Sequence, residues 1–400
     1  MSGYEQLFRR LDEVGKIARG KSKHRPRNDP GLYGGPYPFI QTGDVKHADF
    51  YVTQFSQTYS EAGLSQSKLW PAGTLCITIA ANIAETAILA IDACFPDSII
   101  GFNADADKCD VRFVKYKLET IKQHYQQVAQ GAAQDNLSLE KLLALKFKVP
   151  PKSVQERIAD TLTTYDDLME NNRRRMALLE ESARLLYREW FVHLRFPGHE
   201  KAKLINGVPK GWERVPAPEA IEVNPRIKLP DEDQHWYVEM ADLPTDSMVI
   251  QSAIKREGRS GSKFQNGDTL FARITPCLEN GKTGYVNFMA EREAGRGSTE
   301  FIVLRSKRLT PEFVYCMART YEFRENAIRS MIGASGRQRA QESCFAKFQV
   351  WCPPQSILKA FSEFTEPAFE QIKNLHLQTQ KLRTARDLLL PRLMSGEITV

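Results

Sequence analysis

Internal similarity constrains this chain more than any other feature. Its sequence falls into two halves displaced by about two hundred residues, so whatever fold it adopts must be built twice. Early in each half an aromatic-rich run leads into a carboxylate: Tyr37-Pro38-Phe39-Ile40-Gln41-Thr42-Gly43-Asp44-Val45 in the first, Trp236-Tyr237-Val238-Glu239-Met240-Ala241-Asp242-Leu243 in the second. A turn then enters an apolar β-rich run, Pro71-Ala72-Gly73-Thr74-Leu75-Cys76-Ile77-Thr78 against Gly267-Asp268-Thr269-Leu270-Phe271-Ala272-Arg273-Ile274, which reads as a buried strand. Further on, a polar Gly-rich loop leads through a short strand to a proline pair. These segments are Gly131-Ala132-Ala133-Gln134 to Val149-Pro150-Pro151, and Gly333-Ala334-Ser335-Gly336 to Cys352-Pro353-Pro354.

After each proline pair, apolar or permissive residues recur at spacings of three and four, the pattern of a long helix with one buried stripe. In the first half these are Val154, Ile158, Leu162, Tyr165, Leu168, Met176, Leu179, Ala183, Leu186 and Trp190, with Asn172 the polar exception. In the second they are Ile357, Phe361, Phe364, Ala368, Ile372, Leu375, Thr379, Leu382, Ala385 and Leu389. A helix of roughly 35 residues is about 50 Å long, more than one small domain covers, so it needs a partner helix. Pairing the two copies about a pseudo-two-fold axis makes them antiparallel, with a globular half at each end of a rod. The alternative is that each helix packs only on its own domain. The expected fold is therefore α+β: two globular domains with an internal pseudo-two-fold repeat, separated by a long antiparallel two-helix coiled coil. The boundaries are 1–150 for the first domain, 151–194 for the first helix, 195–352 for the second domain and 353–400 for the second helix.

Composition excludes several classes. With 42% hydrophobic residues in 400, the chain carries enough apolar side chains for two or more cores. The most apolar run, residues 75–91, is interrupted by Thr78, Asn82, Glu85 and Thr86, so no membrane segment is expected. The first residues mix both charge signs and lack the apolar core of a secretory signal, which points to the cytoplasm. Seven scattered cysteines contain no Cys-x-x-Cys pair and suggest neither a zinc site nor a disulfide framework. A net charge of +6 is modestly basic and clustered, at Arg19, Lys21, Lys23, Arg25, Arg27 and at Arg173, Arg174, Arg175. Such clusters suit a phosphate backbone or a solvated surface.

Two aromatic-rich α+β domains, each ending in a polar Gly loop, a Pro-Pro pair and a long helix, resemble the specificity subunits of type I restriction-modification systems. The resemblance covers nearly the whole chain. It is most specific at Val149-Pro150-Pro151-Lys152-Ser153-Val154-Gln155-Glu156-Arg157-Ile158 and at Leu388-Leu389-Leu390-Pro391-Arg392-Leu393-Met394-Ser395-Gly396-Glu397-Ile398. It implies that each globular half is a target-recognition domain reading one part of a split DNA site. It also implies that the helices form a spacer and dock methyltransferase subunits. The chain departs by starting its first domain after only a short lead before Val14, so the extra amino-terminal helix that braces the coiled coil in relatives is not expected. A rigid spacer fixes the separation of two readers, and readers offset by one to one and a half duplex turns would place half-site centres about 10 to 15 base pairs apart. Because the two domain sequences differ, the site should be asymmetric.

Base edges are read by Arg, Lys, Asn and Gln, and phosphates by Lys, Arg, Ser, Thr and backbone amides. Those residue types in loops flanking strands give Lys21, Lys23, Arg25, Gln41, Thr42, Asn82, Asn103 and Gln134 in the first domain. In the second they give Arg259, Ser260, Lys263, Arg273, Asn280, Lys282, Arg296, Ser298, Arg337 and Gln338. Ordinary solvated loops share this composition, so only the groups carry weight. The best segments are residues 256–263 and 333–339, where Gly and Ser let backbone approach phosphate and Arg supplies a planar fork. The run 273–282 resembles a loop of the family's recognition domains and singles out Arg273, Asn280 and Lys282. Its Asn280-Gly281-Lys282-Thr283 end is not a nucleotide-binding loop, since Pro276 stands where that motif needs a glycine. For the helix seam and partner interface the sequence offers Ile158, Leu162, Tyr165, Leu168, Asn172, Leu179 and Leu186, facing Phe361, Ala368, Leu375, Leu382 and Leu389. A polar Asn172 within the seam would suit fixing of register.

No catalytic set is expected. The Pro-Pro pairs are flanked by Val149 and Lys152 and by Cys352 and Gln355, unlike the motif of an amino-methyltransferase, and the seven histidines show no metal-ligand spacing. The resemblance therefore implies a non-catalytic subunit that binds double-stranded DNA, methyltransferase subunits and an ATP-dependent restriction subunit. S-adenosylmethionine, ATP and magnesium would belong to those partners, which flip and methylate an adenine. The competing reading is a dumbbell-shaped protein-interaction scaffold without DNA specificity, which predicts weak salt dependence where phosphate neutralisation predicts a steep one. A third reading, a nuclease or modification enzyme in its own right, would show itself on incubation with DNA, magnesium and methyl donor.

Overall fold

The computed structural model describes residues 7–80, 84–128, 138–205, 207–334 and 336–400. The chain divides into two compact units, residues 1–171 with 379–400, and residues 172–378.

In the first unit, the apolar run after Gly73 becomes strand Leu75–Thr78, with all four side chains buried. It is central to a five-stranded sheet of order Gly15–Arg19, Ile99–Ala104, Leu75–Thr78, Thr86–Leu89, Tyr51–Val52. Burial on both faces explains why this strand reads as continuously apolar. Leu75 and Ile77 pack with Phe102, Phe113 and Tyr116 against Ile158 and Leu162 of one long helix and Leu390 and Leu393 of the other. Cys76 points the opposite way, into a second core with Trp70, Ala87, Phe95 and Ile99. That core is shared with a four-stranded sheet of order Gln57–Tyr59, Tyr33–Phe39, Ala93–Cys94, Leu69–Trp70, whose middle pair is parallel. A two-stranded ribbon, Leu7–Arg9 with Phe147–Val149, leads into the helix.

The second unit repeats this plan with one strand fewer in the larger sheet and an added two-stranded hairpin, Leu204–Ile205 with Val208–Pro209. One sheet runs Ile221–Val223, Phe301–Ser306, Thr269–Ala272, Thr283–Tyr285. In place of a fifth strand it has a single parallel bridge, Val249 with Tyr285. The other sheet runs Ile254–Glu257, Gln234–Val238, Ala294–Gly297, Ser262–Gln265, again with a parallel middle pair. Glu213–Pro216 pairs with Gln349–Cys352 as the ribbon. The two carboxylates found at the head of each half have one job: Asp44 accepts the Gln41 backbone N–H at 2.8 Å and Asp242 that of Glu239 at 2.7 Å, each closing a helical turn.

The first long helix is Lys152–Tyr187 and the second Gln355–Ser395, each starting directly after its proline pair. Within each unit their segments run antiparallel. In the first, Arg157 reaches the Val400 carbonyl and Asp166 pairs with Arg386. In the second, Asn172 Nδ2 donates to Gln378 Oε1 at 3.2 Å, and the Tyr187 ring meets that of Phe361. The repeated α+β architecture with paired long helices is thus the one expected. The seam departs from the heptad reading in detail. Ile158, Leu162, Asn172, Phe361, Ala368 and Leu375 are buried, and Tyr165, Leu179, Leu186, Leu382 and Leu389 are half-buried. Leu168 is 43% exposed, while Asp166 and Met169 are buried beside its position. The buried face follows the 3.6-residue turn of a helix that must also pack on its own domain, and drifts away from a strict seven-residue register.

Candidate nucleic-acid interface

In the second unit, three loops meet. Residues 273–282 follow strand Thr269–Ala272, and their Thr275 N–H donates to the Gln338 carbonyl at 3.0 Å. Gln338 N–H returns to Thr275 Oγ1 at 3.0 Å, and Ala340 N–H donates to the Arg273 carbonyl at 2.8 Å. Arg273 N–H in turn reaches the Glu300 carbonyl at 3.0 Å, so the turn at 298–300 joins the same surface. Four of the candidates, Arg273, Ser298, Arg337 and Gln338, are therefore neighbours. Their side chains differ in freedom. Arg273 Nη2 donates to the Ala340 carbonyl at 2.9 Å and Nη1 lies 3.4 Å from Glu342. The Ser298 hydroxyl accepts the Glu300 N–H at 3.2 Å. Arg337 is exposed and has no side-chain partner among the described residues, whereas Arg339 beside it is held by Glu300 at 2.7 Å.

A second group forms along the other sheet. Lys263 stands directly opposite Arg296 in the pairing of Ser262–Gln265 with Ala294–Gly297. Arg296 is 5% exposed, stacks 4.6 Å from the Tyr237 ring centre, and donates to the carbonyls of Arg256, Glu257 and Ser260. Its guanidinium therefore holds the 256–260 turn from inside. Arg259 is tied back to Asp231 and to the Leu229 and Pro230 carbonyls. Ser260 is exposed, and Gly261 (φ +105°) passes so close to the Gly297 carbonyl that a Cβ would lie 2.0 Å from its oxygen. The remaining pair sits elsewhere on the unit: Lys282 Nζ donates to the Met240 carbonyl at 2.8 Å, and Asn280 is exposed.

In the first unit, Lys21, Lys23 and Arg25 share one exposed loop. Gln66 Oε1 ties the loop down by accepting the Lys23 and His24 N–H groups at 2.6 and 3.0 Å. Arg25 turns its guanidinium onto the Ser22 and His24 carbonyls at 2.8 Å. Gln41 and Thr42 open the short helix Thr42–His47, and Gln41 Nε2 donates to Gln57 Oε1 at 2.6 Å. Asn103 accepts from Thr74 Oγ1 at 2.6 Å and lies opposite Lys16 across the strand pair. Asn82 and Gln134 lie outside the described residues.

Sequence reasoning missed two kinds of residue. The first is basic: Lys16 on the edge strand, and Lys68, whose ammonium sits 3.5 Å over the Trp70 ring. The second is acidic and buried. Asp166 accepts from the Tyr116 hydroxyl and pairs with Arg386 in the first unit. In the second, Glu180 accepts from the Tyr315 hydroxyl at 2.6 Å and from the Met248 N–H at 2.7 Å. Burial raises both carboxyl pKa values, while Arg386 beside Asp166, and Tyr315 and Arg319 beside Glu180, pull the other way. Each carboxylate lies on the first long helix and fastens to it the domain helix that follows the sheet. Among the described residues no group of three or more His, Cys, Asp or Glu side chains is placed to hold a metal ion, and no helix is long and apolar enough to cross a membrane.

Comparison with known proteins bears on what carries these surfaces. A family model described as the type I restriction modification DNA specificity domain matches residues 1–181. The chain is similar to the type I restriction enzyme MjaIX specificity subunit of Methanocaldococcus jannaschii, with 23% identity over 98% of this chain and 93% of that protein. It is also similar to the EcoEI specificity subunit of Escherichia coli, with 27% identity over 37% of this chain and 26% of that one. In fold it is similar to the crystal structure of the type I restriction-modification S subunit from M. genitalium, with a TM-score of 0.60 at 14% identity over 98% and 97% of the two chains. The doubled α+β unit with its paired long helices and the likeness along nearly the whole sequence agree: the chain is similar, over 98% of its length, to a specificity subunit of a type I restriction-modification system.

Proposed function

We propose that this chain selects the DNA site of a type I restriction-modification complex, each unit reading one half of an asymmetric bipartite sequence. The observation that carries the reading is one strand order built twice, with different side chains on the loops of each copy. Equivalent frameworks with unlike readers suit two unlike half-sites. To the long helices we assign the unread gap between half-sites and the docking of methyltransferase subunits. To this chain we assign no chemical step. S-adenosylmethionine, ATP and magnesium would be held by methyltransferase and restriction subunits in the cytoplasm, with the target adenine flipped into the methyltransferase.

The test is methylation sequencing of DNA from cells that express this chain with its neighbouring methyltransferase, compared with the methyltransferase alone. A new split adenine motif with an unread gap is the expected result. An active, fully assembled complex that writes no new motif would favour the interaction-scaffold reading.

A further inference from the structure

Lys16, Lys21 and Lys68 come together in the first unit from three separate stretches of chain. Lys16 lies on the edge strand Gly15–Arg19, in direct register with Asn103, two residues before Ala18 meets Gly101. Gly101 is where the strand passes the aromatic pair: a Cβ there would lie 2.7 Å from the Trp70 ring and 2.8 Å from Phe95. Trp70 and Phe95 stack at 4.9 Å with planes 18° apart, and Lys68 lies over the Trp70 ring. Lys21 is fixed to the same pair from the other side. Its N–H donates to the Phe95 carbonyl at 3.1 Å, and its carbonyl accepts from Ser67 Oγ, next to Lys68, at 2.7 Å.

None of the three ammonium groups has a carboxylate partner within ion-pair distance among the described residues. The acidic groups nearby are engaged elsewhere: Arg27 holds Asp97 at 2.9 Å and Lys108 holds Asp105 at 2.8 Å, although Asp105 also feels Lys16. The three like charges are close enough to oppose one another. The Lys68 ammonium is held below the usual lysine range, first by burial and then by Lys21 and Lys16. A cluster of this kind is costly while it stays empty and is relieved by an anion. Because Trp70 is 1% exposed, its ring is the floor of the cluster and leaves no face for an extruded base to stack on. What remains open is charge drawn from the edge strand Gly15–Arg19, the loop that follows it and the residue that leads into strand Leu69–Trp70.

We infer that Lys16, Lys21 and Lys68 form a clamp for the phosphodiester backbone of duplex DNA, which positions the first unit on its half-site without reading sequence. This rests on the proposed function above. It adds Lys16 and Lys68 to the contact surface and gives the site a phosphate role distinct from base recognition.

The test uses the full chain assembled with its methyltransferase and two probes, a random-sequence duplex and one carrying the methylated motif. The variants are K16A, K68A, the double variant and K68R. Each lost phosphate contact should lower the slope of log affinity against log salt by about 0.9, and affinity by about five-fold near 0.15 M salt. The double variant should therefore lose about 1.8 in slope on both probes alike, with its methylation motif unchanged, while K68R keeps the wild-type slope. An unchanged slope in a folded double variant overturns the clamp. So does a loss confined to the motif-bearing probe, which would make these lysines base readers. If the unaltered complex binds neither probe in a salt-dependent way, the proposed function fails first, and the two failures remain distinct.

Discussion

Replacing Glu180 by alanine should loosen the second unit from its long helix. The carboxylate is 4% exposed and takes two donors, the Tyr315 hydroxyl at 2.6 Å and the Met248 N–H at 2.7 Å. Alanine leaves both donors buried and unpartnered. At about 1–3 kcal/mol for each orphaned group, E180A should cost about 3–5 kcal/mol. Glutamine has nearly the same shape. Its amide oxygen can accept from Met248 and its NH2 can donate to the Tyr315 oxygen, while the buried charge disappears, so E180Q should stay within about 1 kcal/mol of the parent at neutral pH. Urea unfolding followed by tryptophan fluorescence suits the measurement, because Trp190, Trp212, Trp236 and Trp351 all lie in this unit. The pH dependence has a definite sign. Burial raises the Glu180 pKa in the folded protein, so the folded state holds that proton more tightly than the unfolded chain does. This contribution is fully present below the unfolded value of about 4.3 and is lost as pH rises through the folded one. The parent should therefore gain on E180Q as the solution is acidified from neutrality. An E180A variant that loses less than about 1 kcal/mol, or a glutamine as damaging as alanine, would refute the argument.

Arg296 and Arg337 should separate fold from binding. R296A removes the guanidinium that holds three carbonyls of the 256–260 turn, and should lower the melting temperature with a loss of about 2–4 kcal/mol. R337A touches no described partner and should melt within about 0.5 kcal/mol of the parent while weakening DNA binding in a filter or anisotropy assay. D166A should leave Arg386 half-enclosed without its buried partner and cost about 3–5 kcal/mol, detectable as faster amide exchange in the helix Val111–Val128. G261A combines a left-handed backbone with a clash against the Gly297 carbonyl, and should abolish pairing of the edge strand Ser262–Gln265, read as loss of its amide protection.

The duplication was legible because it is carried by local signals: a proline pair ahead of each helix, and a carboxylate closing a turn after each aromatic strand. Those residues act on neighbours a few positions away, so sequence order preserves their relation. Lys16 and Lys68 were not legible, since what joins them is the pairing of Lys16 with Asn103, far along the chain, and an aromatic floor contributed by Trp70 and Phe95. Arg296 looked like a free fork in the sequence, yet its acceptors lie 36 to 40 residues earlier, on a turn that only the folded sheet brings back. Asp166 and Glu180 carry no signal in the sequence because period alone does not distinguish a charged residue facing water from one facing a buried tyrosine hydroxyl.

The first unit is completed by residues 379–400, where Leu390, Leu393 and Met394 enter the same core as Leu11, Leu75 and Phe113. The second unit is drawn from one uninterrupted stretch, 172–378. Synthesis therefore delivers the parts out of step: the unit that leaves the ribosome first is the last to receive all of its core. Until the final helix emerges, Ile158 and Leu162 lack their opposite face, and the early half is the one exposed to proteases and chaperones. A premature stop that spares every strand of the chain would still cripple the unit furthest from it in sequence.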